Sequence, residues 1–557
     1  MTRVVFVLMA IAVGSYYRWG VRAAGNEFEW GQDSGHYYDY LGRAFAGGHL
    51  YLPLEPSPQL LAQPNPWDPR VDDSFKLFDA VLYNRRYYLY HGPGPAVMLF
   101  TPWRLLTGHD LPENYALFVL CLGGYLFSAG ALMGTLRMAR VRVGPGMLAI
   151  MLLALGTCQG VPFLLNRVWV YEVAIGGGYF CIAAALFFLV RGFQSTRPHW
   201  LAAAGFMFGM AVACRPHLAI VGAIALVAIL LTSWRRAIYF VTPLLVVGMA
   251  VATYNYERFG NPIEFGNRYL LAGLNQSKLN LSGSNVRPGM YYLLLSAPEF
   301  SPVFPWILIT PHVRDVPRPV TNTVEPTTGA IYLAPFLPLM LSVFFARRVR
   351  VLTGMCVVSG LLVLLFITAT GWSTQRYEVD FLPLLILGCL GSFAVVVDRL
   401  GKHWRCALTS VLCMAIVCGA AANLALGLAG PYDEMRFNKP ARFVRIASWF
   451  SPIGQFRPVL NPPIDVSFKA HAGPLFFAGQ LPYRYELSME RAGAGTNLIS
   501  HYNQSTVTQE MASGAPGVWR VTYTPEAGEM HVDGDGREVL VHKIGALVSA
   551  PVQIRIP

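Results

Sequence analysis

The chain has 557 residues, 54% of them hydrophobic and only 13% charged, with a formal net charge of +12. Ordinary soluble domains carry roughly 25% charged residues, so this composition excludes a soluble multidomain protein. The positive balance would suit a nucleic-acid binder, but its placement argues otherwise. Lys and Arg fall in short groups between apolar runs: Arg137, Arg140 and Arg142; Arg191 and Arg197; Arg235 and Arg236; Arg347, Arg348 and Arg350; Arg399, Lys402 and Arg405. Groups of this kind in every second connection follow the positive-inside rule. The basic charge therefore reports topology, and no nucleic-acid partner is expected.

The first apolar run, residues 4–20, shows no small-residue cleavage site before Arg22 and reads as a retained helix that starts inside. The segment 22–94, rich in Trp, Tyr, Pro and Asp, then lies outside. Residues 95–106 are too short and too Pro-interrupted to cross roughly 30 Å of hydrocarbon, which points to an interfacial or re-entrant helix. Spans follow at 114–136, 146–164, 173–190, 200–214, 218–233, 237–255, 329–345, 351–370, 380–397 and 406–428. With the first helix this makes about eleven, so the C-terminus falls outside and every basic group faces the cytoplasm. Arg215-Pro216 either separates two short spans or interrupts one long helix. Three outward regions result: 22–94, 256–328 and the tail from 430. Within the second, residues 289–310 carry Pro298, Pro302 and Pro305 and are expected along the membrane surface.

The tail changes character. Tyr483 to Met489, Val518 to Tyr523, Met530 to Gly534, Arg537 to Ile544 and Val552 to Ile556 read as strands. Asp533-Gly534-Asp535-Gly536 is a strong hairpin turn signal. A β-sandwich over 431–557 behind a membrane domain over 1–430 is the expected organisation. The nine cysteines lie in or beside apolar segments, without zinc spacing, and read as small buried hydrophobes.

Chemistry-bearing residues gather in the outward regions. Tyr37, Tyr40, Leu41, Ala44 and Phe45 sit at helical spacing, stopped by Gly47 and Gly48, and Asp33 falls just before or at that helix start. Asp33 reads either as an N-cap or as a carboxylate able to take a proton from an acceptor hydroxyl. Asp39 lies about 240° around the helix from Asp33 and four residues before Arg43, which favours a surface ion pair. His36 and His49 lack metal-ligand partners at diagnostic spacing. Tyr37 and its aromatic neighbours suit sugar stacking or interfacial anchoring equally. Tyr90-His91-Gly92-Pro93-Gly94-Pro95 is a turn whose backbone could approach a phosphate, although it matches no P-loop.

Ionisable residues at the outer ends of spans carry weight because charge near lipid is costly. Arg167 and Glu172 flank Trp169 and Tyr171, Arg215 sits in Cys214-Arg215-Pro216-His217, and Gln375-Arg376-Tyr377-Glu378-Val379-Asp380 lies between two spans. Arginines at that level suit a lipid phosphate, which a guanidinium grips with two hydrogen bonds. The alternative is structural ion pairing, Arg167 with Glu172 or Arg376 with Glu378.

These features resemble the membrane-embedded glycosyltransferases of the GT-C superfamily. The resemblance rests on Asp33-Ser34-Gly35-His36-Tyr37-Tyr38-Asp39-Tyr40-Leu41, then Gly48-His49-Leu50-Tyr51, and on Tyr90-His91-Gly92-Pro93-Gly94-Pro95. Arg258-Phe259-Gly260-Asn261-Pro262 is similar to a segment of related bacterial membrane proteins. The resemblance spans residues 1–430, mostly through layout.

It implies a GT-C-like polytopic α-helical membrane protein with an extracytoplasmic β domain that resembles glycan-binding appendages. It implies a polyprenyl-phosphate sugar donor, an extracytoplasmic glycan, lipid or protein acceptor, and a bacterial plasma-membrane location. By carry-over Asp33 is the catalytic base, Arg376, Arg215 and Arg167 bind the donor phosphate, and His36, Tyr37, Asp39, His91, Glu172 and Tyr377 line the substrate. Ser34 stands where the family commonly has a second acidic residue, so a divalent cation such as Mg or Mn is left open. A transporter or flippase for a lipid-linked saccharide is the rival reading, and a scaffold for envelope assembly a third.

Overall fold

The computed structural model describes all residues except 1, 26, 32–34, 273–280, 302–303, 310–315, 318, 320, 451–462, 470–472, 480–483, 493–494, 503–504, 512–515, 548–553 and 557. Two compact units result. One comprises Met1–Arg22, Asn26–Ala297 and Thr310–Leu424, and the other Ala23–Gly25, Pro298–Ile309 and Ala425–Pro557. The sequence places the boundary near 430 and assigns 298–309 to an outward loop.

The first unit is a helical bundle. Among the described residues seven helical segments are long and apolar enough to cross a membrane: Thr2–Ala23, Glu113–Ala139, Val170–Gln194, Pro216–Phe259, Arg350–Ala369, Gln375–Val397 and Lys402–Ala429. Pro145–Thr157 and His199–Cys214 are shorter apolar helices. The chain is a multi-pass membrane protein. Small residues let these helices approach, as they must where lipid offers no hydrophobic drive for helix association. A Cβ at Gly124 would lie 2.5 Å from the Tyr179 ring, so Glu113–Ala139 and Val170–Gln194 close on each other through that gap.

Several expected spans are broken. The stretch 146–164 is two helices, Pro145–Thr157 and Val161–Asn166, parted at Gly160, whose φ is +83°. The stretch 329–345 is a single α turn, Ala330–Leu333, followed by a 3-10 run, Leu337–Phe344. Pro335 and Pro338 remove two donors there, and eight 3-10 residues advance only about 16 Å at about 2.0 Å each. Arg215-Pro216 does separate two helices: Arg215 is extended, as the residue before proline prefers, between His199–Cys214 and Ala219–Ser233.

Polar segments of this unit carry their own elements. Helix Tyr37–Ala46 is followed by an antiparallel hairpin, Ala80–Tyr83 with Arg86–Leu89, in which Tyr83 faces Arg86. Asn84 and Arg85 make its two-residue turn with φ of 48° and 60°. The expected helix at 95–106 is a π turn, Ala96–Phe100, running into Thr101–Thr107. Residues 289–310 form no single element: helix Gly283–Met290 and a π turn, Tyr291–Leu295, belong to the first unit. The bridge of Glu299–Phe300 with Ile307–Leu308 belongs to the second.

The second unit contains the expected two-sheet β domain. One sheet orders Ser505–Met511, Gly495–Tyr502, Tyr485–Ala492, Gly473–Ala478 and Ile554–Arg555. The other orders Arg537–Lys543, Glu529–Gly534, Val518–Thr524 and Ile464–Lys469. Alternation sends Trp519, Val521 and Tyr523 inward against Val532 and Met530, while Phe476, Tyr485 and Leu498 cover them from the other sheet. The turn read from Asp533 to Gly536 closes at Asp535 and Gly536, both with positive φ, between the facing residues Gly534 and Arg537.

Candidate active site

A cavity of about 530 Å³ opens in the helical unit, and its walls come from stretches distant in sequence, Tyr171 of helix Val170–Gln194 among them. The first, Phe78, Asp79, Tyr90, His91 and Gly92, flanks the Ala80–Leu89 hairpin. The second is the break after His199–Cys214, contributing Arg215 and His217. Glu325 comes from the segment after 256, and Trp372, Arg376 and Tyr377 from the entry to Glu378–Val397. Helix ends and their breaks supply Arg215, His217, Arg376 and Tyr377, while loops beside short strands supply Asp79, Tyr90, His91 and Glu325.

Two arginines dominate the wall. Arg215 donates from Nη2 to Asp380 Oδ2 at 2.6 Å, and the same oxygen lies 3.1 Å from His217 Nε2. The guanidinium also sits 5.0 Å from the Tyr377 ring centre. Arg376 makes a two-pronged pair with Glu325, Nη1 to Oε2 at 2.9 Å and Nη2 to Oε1 at 3.2 Å. It rests 4.7 Å over Tyr171 and 5.8 Å from Tyr377. Both guanidinium groups therefore approach the Tyr377 ring. The Nε atoms of both arginines are buried without a hydrogen-bond partner.

An adjoining part of the wall is set by the Gly-Pro turn. Gly92 lines the cavity, and the absence of a Cβ at Gly92 and Gly94 also lets the turn press on another helix end. A Cβ at Gly92 would lie 2.1 Å from the Ala213 carbonyl oxygen, beside the start of Arg215. His91 is buried, edge-on to Tyr171 at 5.0 Å, and its Nε2 has no hydrogen-bond partner. Burial, then the nearby Arg215 and Arg376, push its pKa down to about 3, so the imidazole is neutral. Burial likewise pushes the Tyr90 hydroxyl up to about 12.

Asp79, on the same wall, was not singled out from sequence. It holds a left-handed backbone, φ 60°, fixed by its N–H donating to Leu271 O at 2.7 Å. Burial is the largest influence on its carboxyl, raising the pKa to about 6 against the pull of Arg376 and Arg167. A non-glycine residue held in that conformation beside a cavity is a signature of a working site. Glu325, and the pairing of Asp380 with Arg215, escape the sequence for another reason. The partners lie 51 and 165 residues apart, and only the tertiary fold joins them.

The other sequence candidates resolve as follows. Asp33 lies outside the described residues. The helix begins at Tyr37 with His36 as its N-cap, and the capping acceptor is Glu113, which takes the Tyr38 N–H at 3.0 Å. His36 Nδ1 is 3.3 Å from the same carboxylate, which raises the histidine pKa. Tyr37 donates its hydroxyl to the Phe78 carbonyl, and Tyr38 donates to the Gly92 carbonyl at 3.1 Å. Asp39 is buried, 2% exposed, rather than at the surface as expected, and Arg43 donates to Asp110. Arg167 stacks on Trp169 at 3.8 Å, and neither it nor Glu172 is among the residues lining the cavity. Glu172 is buried with Oε2 unpartnered. The pair expected between Arg376 and Glu378 is replaced by Arg376 with Glu325, while Glu378 Oε2 accepts from Gln375 at 3.0 Å.

Among the described residues no group of three or more His, Cys, Asp or Glu side chains converges. Glu325 and Asp380 are committed to arginines, which leaves Asp79 as the cavity carboxylate without an ion pair.

No family model matches the chain, and no curated protein matches it. Among solved structures it is similar to ArnT from Cupriavidus metallidurans bound to undecaprenyl phosphate, at 15% identity and a TM-score of 0.44, covering 80% of this chain and 79% of that one. The apo state of that protein aligns at 15% identity and a TM-score of 0.40, over 84% of this chain and 92% of that one. The apo oligosaccharyltransferase of Archaeoglobus fulgidus aligns at 12% identity and a TM-score of 0.39, over 81% of this chain and 58% of that one.

Proposed function

We propose that this chain is an inverting glycosyltransferase of the GT-C type. It moves a sugar from a polyprenyl-phosphate donor to a glycan, lipid or protein acceptor on the periplasmic or extracellular face of a bacterial plasma membrane. The observation that carries this reading is the cavity wall with Arg215 and Arg376 both close to the Tyr377 ring. Guanidinium groups so arranged suit an oxygen-rich anion, and the aromatic side chains around them suit the face of a sugar ring.

In the proposed reaction the acceptor hydroxyl attacks the anomeric carbon from the face opposite the phosphate. The anomeric C–O bond to phosphate breaks, and its electron pair leaves with the lipid phosphate. Arg376 and Arg215 offset the charge that builds there. Asp33 takes the acceptor proton. Its assignment is supported by the linkage of its neighbourhood to the cavity. Tyr37, four residues on, donates to the carbonyl of Phe78, a residue of the wall. No step requires a nucleotide.

The test is transfer from a radiolabelled polyprenyl-phosphate sugar in membranes carrying the protein, with wild type beside Asp33→Asn and Arg376→Ala. Loss of transfer by at least about a hundredfold in both is expected for a base and a charge-stabilising group. Full transfer by Asp33→Asn at normal protein level would remove the base assignment. Label that crosses the bilayer without changing carrier would favour a flippase. Modification of a cysteine at position 33 from the cytoplasmic side alone would contradict the sidedness.

A further inference from the structure

The two arginines are held differently. Asp380, the partner of Arg215, is 1% exposed at its side chain and sits inside the wall, shared with His217. Glu325, the partner of Arg376, is 26% exposed and lines the cavity itself. Its two oxygens occupy the two-pronged face of the guanidinium, the geometry that a phosphate would use. A lipid phosphate that reaches Arg376 must displace that carboxylate. The guanidinium need not move for this, since Tyr171 supports it from one side at 4.7 Å.

The backbone of Glu325 is tied down, so its side chain stays within reach after displacement. Thr323–Val324 pairs in parallel with Trp372–Ser373, and the Glu325 N–H donates to Ser373 O at 2.9 Å. Thr327 Oγ1 holds the Glu325 carbonyl at 2.7 Å. Strand pairing thus anchors Glu325 two residues from the start of the segment that carries Arg376.

We propose that Glu325 is an internal competitor for Arg376: it fills the anion seat of the empty cavity and reclaims the guanidinium after transfer, so setting how tightly the lipid phosphate is held. This rests on the glycosyl-transfer reading. In that reaction the donor is a phosphodiester with one negative charge. Breaking its anomeric C–O bond leaves a phosphate monoester whose second charge strengthens its hold on Arg376. A lone arginine would keep that product. A tethered carboxylate at the same seat repels the added charge and offers the guanidinium an alternative partner, which speeds release.

The experiment measures binding of undecaprenyl phosphate to the purified full chain in detergent, by native mass spectrometry, with undecaprenol as the uncharged control. Glu325→Gln is expected to bind undecaprenyl phosphate about tenfold more tightly than wild type, with undecaprenol unchanged. Glu325→Asp keeps the charge and is expected to tighten binding less, which guards against a folding defect in the first variant. In the Arg376→Ala background Glu325→Gln is expected to change nothing. Equal or weaker phosphate binding by Glu325→Gln, while wild type still prefers the phosphate over undecaprenol, overturns the competitor alone. Wild type and Glu325→Gln that both bind the two lipids alike overturn the donor reading and the competitor together.

Discussion

Arg258 and Arg376 are both buried arginines stacked on aromatic rings, yet they belong to different parts of the molecule's work. Arg258 lies 3.9 Å over Tyr254 and donates to Leu89 O at 2.9 Å and Asn255 Oδ1 at 2.7 Å. Its hydrogen-bond acceptors are neutral, and they tie helix Ala237–Phe259 to strand Arg86–Leu89. Arg376 has a carboxylate for a partner, at the wall of a cavity. An arginine bonded to backbone oxygen is part of the frame. One bonded to a partly exposed carboxylate can change partners without breaking the frame. Burial and ring stacking are common to both, so neither separates structural from working arginines; the partner and its exposure do.

The sharpest way to break that distinction is to remove each arginine in turn. Arg258→Ala orphans a buried carbonyl and an amide, at a cost of about 3–5 kcal/mol, and Arg258→Lys recovers little because an ammonium cannot reproduce the fork. Arg376→Ala leaves Glu325 partly in solvent and is expected to cost about 1 kcal/mol or less. Thermal unfolding in detergent reads both. Equal losses would place Arg376 in the frame and remove it from the anion seat.

Arg215 and Asp380 sharpen the contrast from the other side. Here the carboxylate is buried, so deletion of one partner strands a charge. Each single alanine variant is expected to lose more than half of what the double variant loses, with a coupling of about 2–3 kcal/mol. Additive losses would mean that the pair is no tighter than that of Arg376 with Glu325. Gly92→Ala ranks next. Its Cβ would strike the Ala213 carbonyl, and relief of that clash is expected to cost about 1–3 kcal/mol and to shift Arg215, two residues along. Wild-type stability in this variant would show that the turn adjusts freely.

Much of this was legible from residue types alone, and the pattern of failures has a physical cause. The apolar runs located the main helices because burial in lipid leaves no other backbone solution. Asp535-Gly536 located a hairpin because few residue pairs accept two positive φ values. Arg215 and Arg376 stood out because unneutralised charge beside an apolar run needs a reason. Their partners did not stand out. Glu325 and Asp380 are ordinary carboxylates until the fold brings them to a guanidinium. Asp79 lacked any local signal except the Asn84-Arg85 turn downstream, which was not read as a hairpin. Prolines 335 and 338 were visible, yet the apolar run around them outweighed their effect on helix geometry.

Asp79 gives the smallest expected effect and the most direct probe of the cavity's charge. Its carboxyl has a native pKa of about 6 against an ordinary 3.8, with burial as the largest cause. Between those values the native protein holds a proton that the unfolded chain has released. Native stability from this group is therefore full below pH 4 and is lost as pH rises through 6. Asp79→Asn carries no such proton, so the wild-type unfolding midpoint should fall relative to the variant across that window and run parallel outside it. The side chain is partly exposed, which reduces the expected difference to about 1–2 kcal/mol. A constant offset at every pH would mean that the carboxyl is solvated and outside the influence of the wall. Arg376 is the strongest influence holding this pKa down. Arg376→Ala should accordingly move the window upward, and a phosphate bound at Arg376 should move it the same way, because its negative charge cancels the guanidinium that Asp79 feels.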